Sequence, residues 1–163
     1  MPATLRGIIP KKTIFNVEAI PSRDLIIERK FLKDEKINIG YISGVLFANQ
    51  LGLTTQVPSV YEIVSNKATR NYRKVEIGNA NVILRKPRVS VTEENYKTLQ
   101  LLDFVMEFEF LSEIKGKELK EKIFEYMKKA KISISMLREY TSYYPEKIYK
   151  NLYEMGLLDY VSA

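Results

Sequence analysis

Residues 40–58, with the sequence GYISGVLFANQLGLTTQVP, constrain the fold of this 163-residue chain more than any other segment. The run rich in small residues at its start is typical of a helix that packs closely on a neighbour. Gly52 follows at the position where a left-handed residue commonly ends a helix. A polar Thr-Thr-Gln turn comes next, and a Val-Pro step then leads into a strand. We therefore expect a helix that begins near Tyr41 or Ser43, a fixed turn, and a sheet directly after it.

The chain contains neither histidine nor cysteine, and this excludes several classes of active site. It has no imidazole general base, no thiol nucleophile, no disulfide and no structural zinc site of the common type. A Ser-Lys pair, paired carboxylates or a carboxylate-bound Mg²⁺ are chemically open, but no recognisable spacing for any of them occurs. Most carboxylates alternate with lysines on predicted helices, as on solvated surfaces. We expect a non-enzyme that needs no cofactor or metal ion.

Composition and length indicate one domain of ordinary size, or one domain with a small helical appendage. An apolar share of 45% suffices for a packed core. No apolar run is long enough to span a bilayer, and the first residues lack the apolar segment of a secretory signal. We expect a cytoplasmic protein without membrane partners. The predicted division is an α/β core over residues 1–110 and a helical module over residues 111–163, which is packed on that core or semi-independent.

The positive charge is concentrated in one predicted loop and hairpin. The formal net charge is +6, and residues 66–88 contain seven basic side chains and one acid, so that 7 − 1 = +6. The remainder of the chain is therefore neutral overall. The seven residues form what we call the basic patch: Lys67, Arg70, Arg73, Lys74, Arg85, Lys86 and Arg88. Such residues often protect a sheet edge from pairing, but their concentration favours a surface that attracts a polyanion or an acidic partner.

The same region predicts three strands. Residues 60–64 are rich in β-branched side chains, and residues 72–77 and 81–86 flank a Gly-Asn-Ala turn. Residues 82–84 are apolar on both faces, which predicts a central strand. The expected fold class is α+β, with a small antiparallel β-meander packed with helices and followed by a C-terminal helical segment.

Helical patterns and one further strand complete the outline. We expect a brief strand at residues 13–17, a helix capped by Ser22, a helix capped by Thr92 and a helix over residues 117–131.

The last 30 or so residues predict two short helices, a turn between them and a terminal strand. Their order resembles the helix-turn-helix of a winged-helix domain, whose second helix enters a major groove. Lys147 and Lys150 on that helix lie beside Glu146 and Glu154, so it lacks the basic excess typical of duplex readers. We therefore favour a small partner-docking module. Its tyrosines are interpreted as packing and interface residues: Tyr140, Tyr143, Tyr144, Tyr149, Tyr153 and Tyr160.

Residues 40–58 resemble the signature of the AbiE-type (type IV) abortive-infection antitoxins, particularly a short AbiEi-like branch of that family. The resemblance continues through VYEIVSN (60–66), VEIGNANVILRKPR (75–88) and TEENYKTLQLLD (92–103). The signature residues are Gly44, Asn49, Leu51, Gly52, Leu53, Thr54, Thr55, Gln56 and Pro58. We expect them to be structural, because their polar side chains suit caps and turn hydrogen bonds.

The resemblance implies an antitoxin that relieves the toxicity of a nucleotidyltransferase-like toxin without being an enzyme. Larger family members carry an N-terminal winged helix that binds promoter DNA, but here the resemblance begins too close to Met1 for one. The type IV label implies antagonism of the toxin's effect without a stable complex between the two proteins.

The alternative function is a module that binds RNA or DNA through the basic patch or the C-terminal helix-turn-helix. Single-strand binding needs exposed aromatic rings beside the basic groups, and Tyr72 is the one inside the patch.

Overall fold

The computed structural model describes residues 22–157, with side chains from Asp24 onward. Its helices are α1 (Ser22–Ile27) with a π-helical continuation (Glu28–Leu32), α2 (Gly44–Gln50), α3 (Tyr96–Met106), α4 (Phe108–Leu111), α5 (Gly116–Ala130), α6 (Ile134–Tyr140) with a 3₁₀ turn (Thr141–Tyr143), and α7 (Lys147–Glu154). Its strands are β1 (Lys33–Asp34), β2 (Ile37–Asn38), β3 (Gly40–Ser43), β4 (Val60–Ser65), β5 (Arg73–Ile77) and β6 (Ala80–Arg85). The protein is α+β, as predicted. Three predicted features lie outside the described backbone and side chains: the strand at residues 13–17, the Ser22 cap and the terminal strand.

The main sheet is mixed, so the predicted antiparallel meander is wrong. Its strand order is β3-β4-β6-β5, while β1 and β2 form a separate hairpin. β3 pairs antiparallel with β4, and β5 pairs antiparallel with β6, but β4 and β6 run parallel. β6 takes the central position between β4 and β5, as its apolar residues predicted. β5, with exposed Arg73 and Lys74, stays at the edge, where charged side chains are tolerated.

The segment that opens the signature forms a strand before it forms a helix. Tyr41 lies in β3, opposite Val64, so the helix expected to begin at Tyr41 or Ser43 begins at Gly44 instead. Backbone pairing with β4 overrides the helical tendency of residues 40–43. At the other end, Gly52 has a φ of +76°, which confirms the predicted left-handed residue after the helix.

Apolar side chains pack on both faces of the sheet. One core places Ile27 and Phe31, from α1 and its continuation, against Ile63, Val82 and Leu84 of the sheet. The larger core lies on the opposite face and joins the sheet to the helices. Its residues include Tyr41, Phe47, Val64, Leu102, Phe104, Ile123, Ile148 and Leu152. A single apolar cluster therefore connects the strands with α2, α3, α5 and α7.

The helices that were predicted after residue 91 are present. Thr92 and Asn95 exchange hydrogen bonds between side chain and backbone, at 3.1 and 2.8 Å, and α3 begins directly after them. α5 matches the predicted helix over residues 117–131 to within one residue at each end. α6, the 3₁₀ turn and α7 form the predicted pair of short helices.

We expect Gly40→Ala to destabilise the fold more than Gly52→Ala, although Gly52 is the residue with positive φ. A Cβ at Gly40 would press against the backbone carbonyls of Phe31 and Val64, whereas at Gly52 its nearest neighbour is the flexible Lys122 tip, 3.8 Å away. We expect a loss of at least about 3 kcal/mol at Gly40 and of about 1–2 kcal/mol at Gly52. Urea unfolding measures both, and the reverse order would contradict the close packing at Gly40.

Candidate binding cleft

A cleft of about 720 Å³ opens where the sheet meets the C-terminal end of α3. Its floor is formed by Glu62, Val64 and Arg85, which share one face of the sheet because Val64 lies opposite Arg85 in the parallel register. Toward β3 this face is covered by the helices, but toward β6 and β5 it is open. The volume lies in the range of small-ligand sites. The cleft is therefore the candidate site of the described residues.

The structure divides the basic patch between several places. Arg85, Lys86 and Arg88 line the cleft. Lys74 lies on the same sheet face, since it is opposite Ile83, which is in turn opposite Glu62. Three further residues do not line the cleft and lie on the other face or in the loop between β4 and β5: Arg73, Lys67 and Arg70.

The two arginines of the cleft are held by neighbouring side chains. Arg85 Nη2 lies 3.7 Å from Glu62 Oε2, and its guanidinium lies 5.4 Å from the centre of the Tyr72 ring. The Arg88 guanidinium lies 4.8 Å from the centre of the Tyr144 ring. Such contacts hold an arginine in place through charge and ring electrostatics. Both guanidinium groups are thus positioned by neighbouring groups, and Arg88 is exposed, as is Lys86.

The opposite wall carries acidic groups that sequence analysis missed. Asp103 and Glu107 lie four residues apart near the end of α3, and both line the cleft. Residues at this spacing share a helix face, so the spacing is the sequence signal that could have identified them. The cleft therefore has three basic residues and Glu62 on its sheet side, and two acidic residues on its helical side.

Asp103 is fixed by two tyrosine hydroxyls. Tyr41 donates to Asp103 Oδ2 at 2.5 Å, and Tyr144 donates to Oδ1 at 2.7 Å. Burial raises the pKa of the Asp103 carboxyl, while the hydrogen bonds from Tyr144 and Tyr41, and nearby Arg88, partly offset this. Burial also raises the pKa of both tyrosines, so the hydroxyls remain protonated donors. This polar group supports the cleft wall from behind.

Exposed aromatic rings stand on the helical side of the cleft. Phe110 is 82% exposed and Tyr143 is 50% exposed, and both line the cleft. Tyr143 was interpreted from the sequence as one of a set of packing and interface residues, and it presents half of its surface to solvent. Phe110 was not singled out from the sequence, because its exposure depends on how the short helix α4 turns away from α3.

The signature turn lies apart from the cleft and is held by hydrogen bonds. Asn49 Nδ2 donates to the carbonyls of Thr54 and Gln56, at 3.2 and 3.0 Å. Thr54 Oγ1 donates to Glu113 Oε2 at 2.6 Å, which lowers the pKa of Glu113. Glu113 N also donates to the Leu53 carbonyl at 2.8 Å. The turn is thereby joined to the segment between α4 and α5.

Gly44 is the signature residue that lines the cleft. The remaining signature residues lie in or beside the turn: Asn49, Leu51, Gly52, Leu53, Thr54, Thr55, Gln56 and Pro58.

Two further properties concern residues 22–157. No three acidic side chains in this part of the chain lie close enough together to hold a metal ion. No helix within it is long and apolar enough to cross a bilayer.

We expect Tyr144→Phe to destabilise the protein by about 1–2 kcal/mol, because Asp103 loses a donor. Burial raises the pKa of Asp103, so stability falls as pH rises from the ordinary carboxyl range through the raised pKa. The hydrogen bond from Tyr144 lowers the pKa of Asp103. Its removal therefore reduces the stability of the protein more at pH values where Asp103 is ionised.

Urea unfolding at neutral and at acidic pH measures the difference between Tyr144→Phe and wild type, which we expect to grow as pH rises. Tyr149→Phe, which removes an exposed hydroxyl on α7, is the control. An equal loss at both pH values would show that the hydrogen bond does not act on the carboxylate.

Comparison of the chain with protein-family models, with curated proteins and with solved structures gave no match. The resemblance to AbiE-type antitoxins therefore rests on the residues of the middle segment alone.

Proposed function

We propose that this protein is a non-enzymatic antitoxin that counteracts a nucleotidyltransferase-like toxin through the basic side of the cleft. The proposal combines the resemblance of residues 40–103 with one structural observation. Preorganised Arg85 and Arg88 and exposed Lys86 lie on one wall of an open cleft, opposite exposed Phe110. A concave surface with fixed charges and exposed rings is suited to binding a partner.

The mode of action that the resemblance implies, antagonism without a stable complex, is compatible with the same surface. Lys74 and Lys86 make none of the ion pairs or ring contacts described for residues 22–157, so their charges are open to a partner. A negatively charged target that the toxin also acts on would be attracted to them. We therefore propose antagonism over a shared target, without a stable complex between toxin and antitoxin.

Nucleic-acid binding through the basic patch is the second candidate. It is supported by Tyr72, a 47% exposed ring that lies against Arg85 at the rim of the cleft. Rings beside guanidinium groups are typical of surfaces that bind unpaired bases. The two functions are compatible if the shared target is an RNA.

The C-terminal helix pair is less suited to nucleic acid. α7 packs on α3 through Ile148 and Leu152, and Asn151 donates to the carbonyls of Val105 and Met106, at 2.8 and 3.2 Å. On its outer side Lys150 lies 4.0 Å from Glu154. The exposed surface is thus mixed in charge, which favours a structural role over entry into a groove.

Growth rescue tests the antitoxin proposal. A nucleotidyltransferase-like toxin encoded beside this chain is expressed with wild type or with Lys74→Glu/Lys86→Glu. Both lysines are exposed, so we expect each change to alter stability by less than about 0.5 kcal/mol. We expect wild type to restore growth and the double variant to lose most of that rescue. Arg85 and Arg88 are left intact, because acids there would face Glu62 or Asp103.

Lys117→Glu/Lys128→Glu is the matched control, with the same change of charge on exposed positions of α5 outside the cleft. It should rescue growth like wild type. Equal rescue by both double variants would remove the basic side of the cleft from the proposal. Absence of rescue by wild type would refute the antitoxin function.

A further inference from the structure

Phe110 and Tyr143 are exposed aromatic residues that line the cleft. Phe110, at 82% exposure, is among the most exposed large apolar side chains of residues 24–157. Single exposed apolar residues are common on proteins. Here, however, a second half-exposed ring and Met106 line the same cleft, so the apolar surface is shared by neighbours. A flat ring face suits stacking of another planar group.

The charges of the cleft are arranged so that an anion fits along the sheet side. Of the three carboxylates that line it, Glu62 is next to Arg85, and Asp103 accepts hydrogen bonds from two tyrosines. Glu107 follows the last residue of α3, on the helical side of the cleft. The positive field therefore lies along Arg85, Lys86 and Arg88, and it is extended by Lys74 on the same sheet face.

We propose that the cleft binds single-stranded nucleic acid, with phosphates along Lys86 and Arg88 and an unstacked base against Phe110 and Tyr143. The inference rests on the second candidate function, nucleic-acid binding through the basic patch, and it specifies the form of the ligand. Rings beside a positively charged groove are the combination by which proteins hold single strands. A duplex keeps its bases stacked inside, where Phe110 does not reach them.

The volume of the cleft agrees with this ligand. About 720 Å³ is the size of a site for one small-molecule-sized group. An unpaired nucleotide is a group of that kind, and the strand on either side can follow the sheet face. An acidic protein segment satisfies the basic wall equally well, but it gives no role to the two exposed rings that line the cleft.

Fluorescence anisotropy with a labelled single strand of about 12 nucleotides tests the proposal. The unlabelled competitors are the same strand, its duplex and polyglutamate. We expect the single strand to compete best, and its affinity to fall steeply between about 50 and 200 mM salt. Phe110→Ala should weaken single-strand binding by about tenfold and leave competition by polyglutamate unchanged.

Tyr153→Ala is the matched control, because it removes a 63% exposed ring on α7 that does not line the cleft. It should bind the single strand like wild type. Thermal unfolding of both variants checks that each is folded, and the exposure of both rings predicts unchanged midpoints.

Equal competition by duplex and polyglutamate, with no effect of Phe110→Ala, would overturn the single-strand site and leave the patch as a general anion surface. Displacement of the labelled strand by polyglutamate at a lower concentration than by the unlabelled strand would overturn it in favour of an acidic protein partner. No binding of the labelled strand, and none of a labelled duplex, would refute nucleic-acid binding as a function. The antitoxin proposal is judged separately by growth rescue.

Discussion

The hydrogen bonds of Asp103 join the three parts on which the cleft depends. The carboxylate lies on α3, Tyr41 reaches it from β3, and Tyr144 reaches it from the segment before α7. Arg88 stacks on the Tyr144 ring and so connects the basic wall to the same group. Because a partly buried carboxylate is stable only with such donors, the strand, the helix and the C-terminal segment are fixed relative to one another.

The order of strands explains why the basic residues of the sheet lie close to the helical wall of the cleft. With β6 inserted between β4 and β5, Arg85 lies opposite Val64, and only strand β4 separates it from Tyr41. In the predicted meander β5 would pair with β4, and Arg85 would lie one strand further from α3. The parallel pairing of β4 with β6 thus brings Arg85 beside Glu62 and leaves β5 at the open edge.

Features set by local chemistry could be predicted from the sequence, and features set by long-range packing could not. The left-handed Gly52, the central β6 and the helix after Thr92 follow from residue type and spacing. The parallel pairing of β4 was missed, because strand order depends on contacts between segments distant in sequence. The basic patch could be identified from charge alone. The position of the acidic wall and the exposure of Phe110 depend on how α3 and α4 pack.

The signature turn and the cleft carry different kinds of information. Asn49 donates to the backbone carbonyls of Thr54 and Gln56, and Thr54 donates to Glu113, so these residues hold the turn in place. A resemblance carried by such residues is evidence for a shared local fold. In the proposed function, binding depends instead on the charged and aromatic side chains of the cleft, and exchange of exposed side chains usually leaves a fold intact. Proteins with this turn can therefore differ in their partners, and under the proposed function the side chains on the open sheet face select the partner.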